Sequence, residues 1–269
     1  VRVYAAVPID TWVRLDRAVG VGAFGGPDSR GDMWLRVGAV HLDLDGSLPA
    51  HTAAFETGYA DRSGETGRLL VDLDTAQALV LAADDAGMQI LVRAVGDRAN
   101  TAVLDLYEEV VNRHGPRDRR FRVELAQHLS PLDVARFSTG PVLASALPFS
   151  TIYDGRWIDR QLGAERARTS FPFRMLLDAG AGVSFGSGWL DRGSPIDGIY
   201  AAVTRRTLDG LHPQGWIPAQ RLTVEEALRV YTSGGAYAGF AEARTGTLTV
   251  GHLADFIIVD RGLLTLQFP

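Results

Sequence analysis

Six short apolar runs, separated by stretches of helical periodicity, constrain the fold of this chain more than any other feature. The runs are Val1–Val7, Val37–Leu44, Gln89–Val95, Phe121–Ala126, Val142–Leu147 and Val183–Gly186. They are four to eight residues long, rich in Val, Leu and Ala, and mostly apolar on both faces. That is the pattern of parallel strands covered on both sides. The stretches between them carry helix punctuation. Asp74 precedes an expected helix to about Ala86, closed by Gly87, and another helix is expected from Ala99 to about Arg113, followed by Gly115. Ser130-Pro131-Leu132-Asp133 reads as an N-cap, a proline at the first helical position and an acid at the third. A further helix is expected from Glu165 to about Ala179, before Gly180. Thr223-Val224-Glu225-Glu226 is a capping box opening a helix to about Thr232.

Strand–helix alternation of this kind means an α/β fold. A doubly wound sheet and a barrel both fit it, and periodicity alone does not choose. Gly20-Val21-Gly22-Ala23-Phe24-Gly25 has the letters of a dinucleotide fingerprint, but it follows no clear strand and opens no helix, so it reads as a loop. The tail differs from the body. Gly246–His252 and Ala254–Asp260 read as two short strands around a turn, the edge of a small β-module.

Composition excludes several functions. Net charge is −5, which gives no electrostatic reason to expect nucleic acid or an anionic membrane as partner. No apolar run reaches the roughly 18 residues that a membrane span needs. Val1–Val7 is too short and too strand-like for a signal peptide. Without cysteine there are no disulfides and no thiolate ligands, and the cytoplasm is the default compartment, although export is not excluded. All 27 basic residues are arginine, so no step can use a lysine amine.

Four segments together carry a family resemblance: Asp45-Gly46-Ser47-Leu48 with Thr52-Ala53-Ala54; Gly96-Asp97-Arg98-Ala99-Asn100; Ala201-Ala202-Val203-Thr204 continuing into Arg205-Arg206-Thr207; and Gly251-His252-Leu253-Ala254-Asp255-Phe256. In order and spacing they resemble the metal-dependent amidohydrolase family of the N-substituted formamide deformylase type, from about Val1 to Leu264. The resemblance implies a (β/α)₈ TIM barrel with a small β-sandwich built from both chain ends, and an active site at the C-terminal ends of the strands. On that reading the chain begins near the third barrel strand. Residues 1–244 are then a partial barrel holding strands three to eight, and 245–269 are part of the sandwich. The implied chemistry is hydrolysis of amide-like C–N bonds by water activated on one or two divalent metals.

The implied ligand set is a His-x-His pair on the first strand, a carboxylated lysine on the fourth, histidines on the fifth and sixth, and an aspartate on the eighth. The His-x-His pair has no counterpart here. The lysine falls at His41, the fifth-strand histidine at Arg93, the sixth-strand histidine at Leu125 and the aspartate at Gly188; a further seventh-strand histidine falls at Ser150. Arginine has no lone pair to give, and leucine and glycine offer no donor. One remaining imidazole does not hold zinc. No metal site and no cofactor are therefore expected from these residues. The flanking motif residues Asp97, Glu124, Gln127, Ser187 and Trp189 are kept, so the replacement looks selective.

The residues have two readings each. His41 is a general base in a remodelled pocket, or a hydrogen-bonded residue of the barrel mouth. Arg93 binds an anionic ligand where the metal stood, or pairs internally with Asp43, Asp97 or Glu124. Asp97 is a catalytic candidate, or fixes a strand-to-helix turn. Glu124 lines the site, or holds its strand. Asp154, Trp157 and Trp189 are substrate-binding candidates, or ordinary packed loop residues. His51, His114, His128 and His212 show no ligand spacing and read as surface or loop residues. Ser187, in Gly-Ser-Gly, does not read as a nucleophile.

Three functions follow from this. The leading expectation is an amidohydrolase-like barrel without its metal centre, running metal-free small-molecule chemistry or only binding a ligand. The second is an active metal-dependent amidohydrolase completed by a separate N-terminal segment. The third is a non-catalytic structural or interaction protein. A further chain or segment completing the barrel is expected in each, because open strand edges invite aggregation.

Overall fold

A computed structural model describes residues 2–14, 34–188 and 193–265. The glycine-rich stretch Gly20–Gly25 lies outside the described residues. Six strands form one parallel sheet in consecutive order: β1 (Val3–Pro8), β2 (Leu35–Asp43), β3 (Gln89–Ala94), β4 (Phe121–Leu125), β5 (Val142–Ala146) and β6 (Gly182–Phe185). Each coincides with one of the six apolar runs.

The helices between them end where their capping residues dictate. Asp72 caps α1 (Leu73–Asp85) by accepting from Thr75 N, and Gly87, at φ 76°, stops it. The long α2 (Asp97–His114) buries Ala99, Ala102, Val103, Leu106, Tyr107 and Val110 along one stripe. Ser130 caps α3 (Pro131–Thr139), with Pro131 in its first turn. Short helices α4 (Phe149–Asp154), α5 (Ile158–Leu162), α6 (Ala164–Ala167) and α7 (Phe173–Asp178) fill the β5–β6 connection. Capping boxes open α8 (Pro195–Thr204), with Ser194 and Asp197, and α9 (Val224–Arg229), with Thr223 and Glu226.

The structure corrects three expectations. The helix expected over Glu165–Ala179 is two helices, α6 and α7. Pro172 lacks an N–H and disfavours helical geometry at the residue before it, and Phe171, held by Gln127 O and the Arg205 guanidinium, sits at a left-handed φ of 49°. The helix opened by Thr223 is α-helical only to Arg229. It then widens into a π-turn at Val230–Gly234 before α10 (Gly235–Ala238). The two strands expected in the tail do not form among the described residues, because a strand exists only through its ladder and neither segment has a ladder partner. The tail is anchored instead by Leu253 N to Arg244 O and by an Arg2–Asp255 ion pair of 2.7 Å. Among the described residues, no helix is long and apolar enough to cross a membrane.

Register divides the sheet into two faces. Ile90, Val92, Phe121, Val123 and Ala144 pack under the helices, and Tyr107 of α2 stacks on Phe121 at 4.3 Å. The other face carries two cross-strand rungs. His41, Leu91, Arg122, Leu143 and Gly182 form one; Asp43, Arg93, Glu124, Ser145 and Ser184 form the next. The second rung is polar throughout, which the expectation of strands apolar on both faces does not contain.

One buried carboxylate ties the C-terminal ends of β2 and β3 together. Asp45 is fully buried and accepts three backbone hydrogen bonds, from Ala54 N at 2.8 Å and from Val95 N and Gly96 N at 2.9 Å each. Burial raises its pKa, and the three amides and Arg93 pull against that rise. Two glycines make the approach possible. A Cβ on Gly96 would lie 2.0 Å from Ala54 O, and one on Gly46 would lie 2.1 Å from Thr52 Oγ1. The first two motifs of the resemblance are therefore the two halves of one knot.

Asp45→Asn keeps the size of the side chain but turns an NH₂ toward backbone donors, leaving at least one buried N–H unsatisfied. Urea unfolding should show a loss of about 2–3 kcal/mol. A loss below about 0.5 kcal/mol, the scatter of an ordinary surface substitution, would show that the knot is not required.

Candidate functional site

The polar rung lies at the C-terminal end of the strands, and His41 stands on the next rung below it on the same face. Arg93 is its central charge. The guanidinium donates from Nη1 to Asp45 O at 2.7 Å and from Nη2 to Gly46 O at 3.1 Å. Its Nε is 3.7 Å from Asp43 Oδ1, and the same oxygen is 3.9 Å from His41 Nε2. The Arg93 side chain remains 25% exposed and that of His41 35%. The Asp45 knot thus holds the arginine in place while leaving it open to solvent.

The next strands carry a self-contained cluster. Arg122 Nη2 is 2.7 Å from Glu124 Oε1 and donates to Ser145 Oγ at 3.0 Å, and Ser145 Oγ donates to Glu124 Oε2 at 2.9 Å. This pair of opposite charges is largely compensated. At Leu125 and Ala126 the chain leaves β4 through two successive left-handed residues, φ 74° and 43°. Such geometry is costly for residues with a Cβ and is held only by its surroundings.

The structure brings His41, Arg93 and Glu124 onto one face of three neighbouring strands. Asp97 stands apart, in the first turn of α2. Its Oδ1 accepts from Glu56 N at 2.8 Å and from Arg98 N at 2.7 Å, which fixes the strand-to-helix turn. Asp154 is buried at the end of α4. Trp157 packs edge-on to Tyr153 at 5.1 Å, with Arg156 lying 4.5 Å over its ring. Trp189 lies outside the described residues.

The donor set does not fit a metal ion. The positions to which the resemblance assigns ligands hold His41, Arg93, Leu125, Ser150 and Gly188. Only the first has an imidazole, and the fixed positive charge of Arg93 repels a cation from the same rung. Among the described residues, no three His, Cys, Asp or Glu side chains converge on one point.

Several important residues carried no sequence signal of their own. Asp45 and Arg205 belong to quoted motifs, but their partners lie far along the chain. Arg205 is fully buried, and its guanidinium donates to Trp216 O at 2.8 Å, Phe171 O at 3.1 Å and Ser170 O at 3.3 Å. Burial pushes its pKa down to about 9. The third motif thus anchors the loops over the strand ends. His51 and His128, expected as surface or loop residues, both lie in loops, but His51 is only partly exposed and His128 is buried. His51 pairs with Asp61 at 3.0 Å, and His128 bonds Ser170 Oγ at 2.7 Å.

Comparison with known proteins agrees with this architecture. The amidohydrolase family profile matches residues 8–269. The chain is 37% identical over 256 residues to Protein LONG AFTER FAR-RED 3 of Arabidopsis thaliana, covering 94% of this chain and 42% of that protein. It is 27% identical over 229 residues to the N-substituted formamide deformylase of Arthrobacter pascens, covering 84% of this chain and 41% of that enzyme. The crystal structure of an uncharacterized metal-dependent hydrolase from Pyrococcus furiosus superposes with a TM-score of 0.82 at 29% identity, covering 98% of this chain and 51% of that one. The chain therefore spans about half the length of the relatives it matches. The parallel sheet, the order of its motifs and these matches place it together: the chain belongs to the amidohydrolase family and has the α/β layout of its TIM-barrel hydrolases.

Proposed function

We propose that this amidohydrolase-type barrel works without a metal centre among these residues, and that Arg93 supplies the positive charge of its site. One observation carries the reading. Arg93 stands on the polar rung, preorganised by the carbonyls of Asp45 and Gly46, where the family resemblance places a histidine ligand. A guanidinium there donates two aligned hydrogen bonds to a carboxylate, or to oxygen developing negative charge. His41, beside Asp43, is the group that exchanges a proton with the bound molecule. Glu124 borders the site and is held by Arg122 and Ser145. The ligand class is a small molecule carrying a carboxylate, an amide or both. Asp97 is a positioning residue in this reading, and Asp154 with Trp157 forms a lip after β5.

A second reading has one observation in its favour. His41 and Asp43 lie on one face of β2, and relatives include metal-dependent hydrolases. Ligands from polypeptide beyond these residues would join His41 around a metal. Among the described residues no strand pairs with the outer edges of β1 and β6, which supports completion of the barrel by further polypeptide in either reading.

Calorimetric titration with N-formyl and N-acetyl amino acids and with simple dicarboxylates separates the two. Binding in the presence of a strong chelator, weakened at least about tenfold by Arg93→Gln, is the expected result, equivalent to about 1.4 kcal/mol. Equal binding by the variant would remove Arg93 from the site. Binding that appears only when zinc is added would support the second reading instead.

A further inference from the structure

We propose that His128 is an acid-sensitive latch, which holds the segment Ala167–Phe173 against the C-terminal end of β4 and releases it as the pH falls. The segment meets the chain after β4 through three contacts. Phe171 N donates to Gln127 O at 2.5 Å, Leu129 N donates to Thr169 O at 3.4 Å, and His128 and Ser170 form an isolated antiparallel bridge. His128 is also tied to the sheet. Its N–H donates to Val95 O at 3.1 Å and its carbonyl accepts from Asn100 Nδ2 at 3.2 Å. The residue thus joins the β3–α2 turn, the exit of β4 and the α6–α7 connection in one place.

The ring is sealed into this junction. His128 is 3% exposed and lies between Phe55, 5.3 Å away, and Phe171, 6.0 Å away. Nδ1 is 2.7 Å from Ser170 Oγ, and Nε2 is buried without a hydrogen-bond partner. The charged group that faces it is Arg166 of α6, a cation. Among the described residues, no carboxylate of the elements packed around the ring stands within ion-pair distance of it. A protonated ring would bury a charge and an N–H with no acceptor, beside a second positive charge.

Burial, reinforced by Arg166, accordingly lowers the His128 pKa from 6.5 to about 3. The direction of the linkage follows. The closed segment holds a neutral ring, and the opened segment takes up a proton below 6.5. Closure is therefore fully favoured above that pH and loses about tenfold in its equilibrium constant for each unit below it, down to about 3. The same loss does not apply to parts of the sheet that stay closed when the segment lifts.

Native-state hydrogen exchange on the intact chain tests this. After correction for intrinsic exchange, protection at the Phe171 and Leu129 amides should fall about tenfold per pH unit between 6.5 and 5, while the Val92 amide in β3 keeps its protection. In His128→Gln the pH dependence should disappear. Flat protection in the native chain, an equal slope in the variant, or a slope shared by Val92 would each overturn the latch. Should the variant fail to fold, proton titration of the native His128 ring decides. An imidazole titrating near 6.5 in the folded chain would overturn the proposal, and one still neutral at pH 5 would support it.

Discussion

Three backbone N–H groups converging on the Asp45 carboxylate hold the rest of the site in position. The bonds come from two separate stretches, Ala54 and Val95–Gly96, so one side chain sets the relative position of the β2 loop and the end of β3. These charge-assisted bonds and Arg93 nearby offset part of the cost of burying a carboxylate. The arginine is bound in turn to the Asp45 and Gly46 carbonyls. Support is mutual: the knot positions the guanidinium, and the guanidinium satisfies the carbonyls of the knot.

That coupling gives the polar rung its character. Glu124 and Arg122 largely neutralise each other through a short contact and a shared serine. Asp43 is more than half exposed and stands off from both Arg93 and His41. The face therefore presents a fixed cation, Arg93, next to an imidazole, with the carboxylate of Asp43 beside both. A metal ion would do a related electrostatic job, but it needs lone-pair donors, and a guanidinium cannot provide them. On the proposed reading, an arginine at this position gives the site a hydrogen-bonding cation in place of a Lewis acid. Such a cation suits carboxylate recognition and offers no activated water.

Most of the framework was legible because it rests on local chemistry. Six apolar runs became six strands. Ser130, Ser194 and Thr223 cap helices for reasons contained within four residues. What stayed hidden depends on distant partners. The break at Thr169–Pro172 reflects docking of Ser170 and Phe171 against His128 and Arg205 as much as the proline itself. His128 has no flanking pattern that marks it as buried. The tail segments have strand-like composition, yet pairing is a property of two segments and cannot be read from one. The motifs of the resemblance are structural in the fold: Asp45, Gly46, Gly96 and Asp97 shape the turns that carry the site, and Arg205 pins the loops above it.

The proposal that a fixed arginine, and not a metal, provides the positive charge of this barrel face is tested by elemental analysis of protein purified from zinc-supplemented medium. Metal far below one equivalent per chain after dialysis is the expected result. One equivalent of zinc or iron, retained until a strong chelator removes it, would contradict the claim and show that these strands still assemble a metal centre.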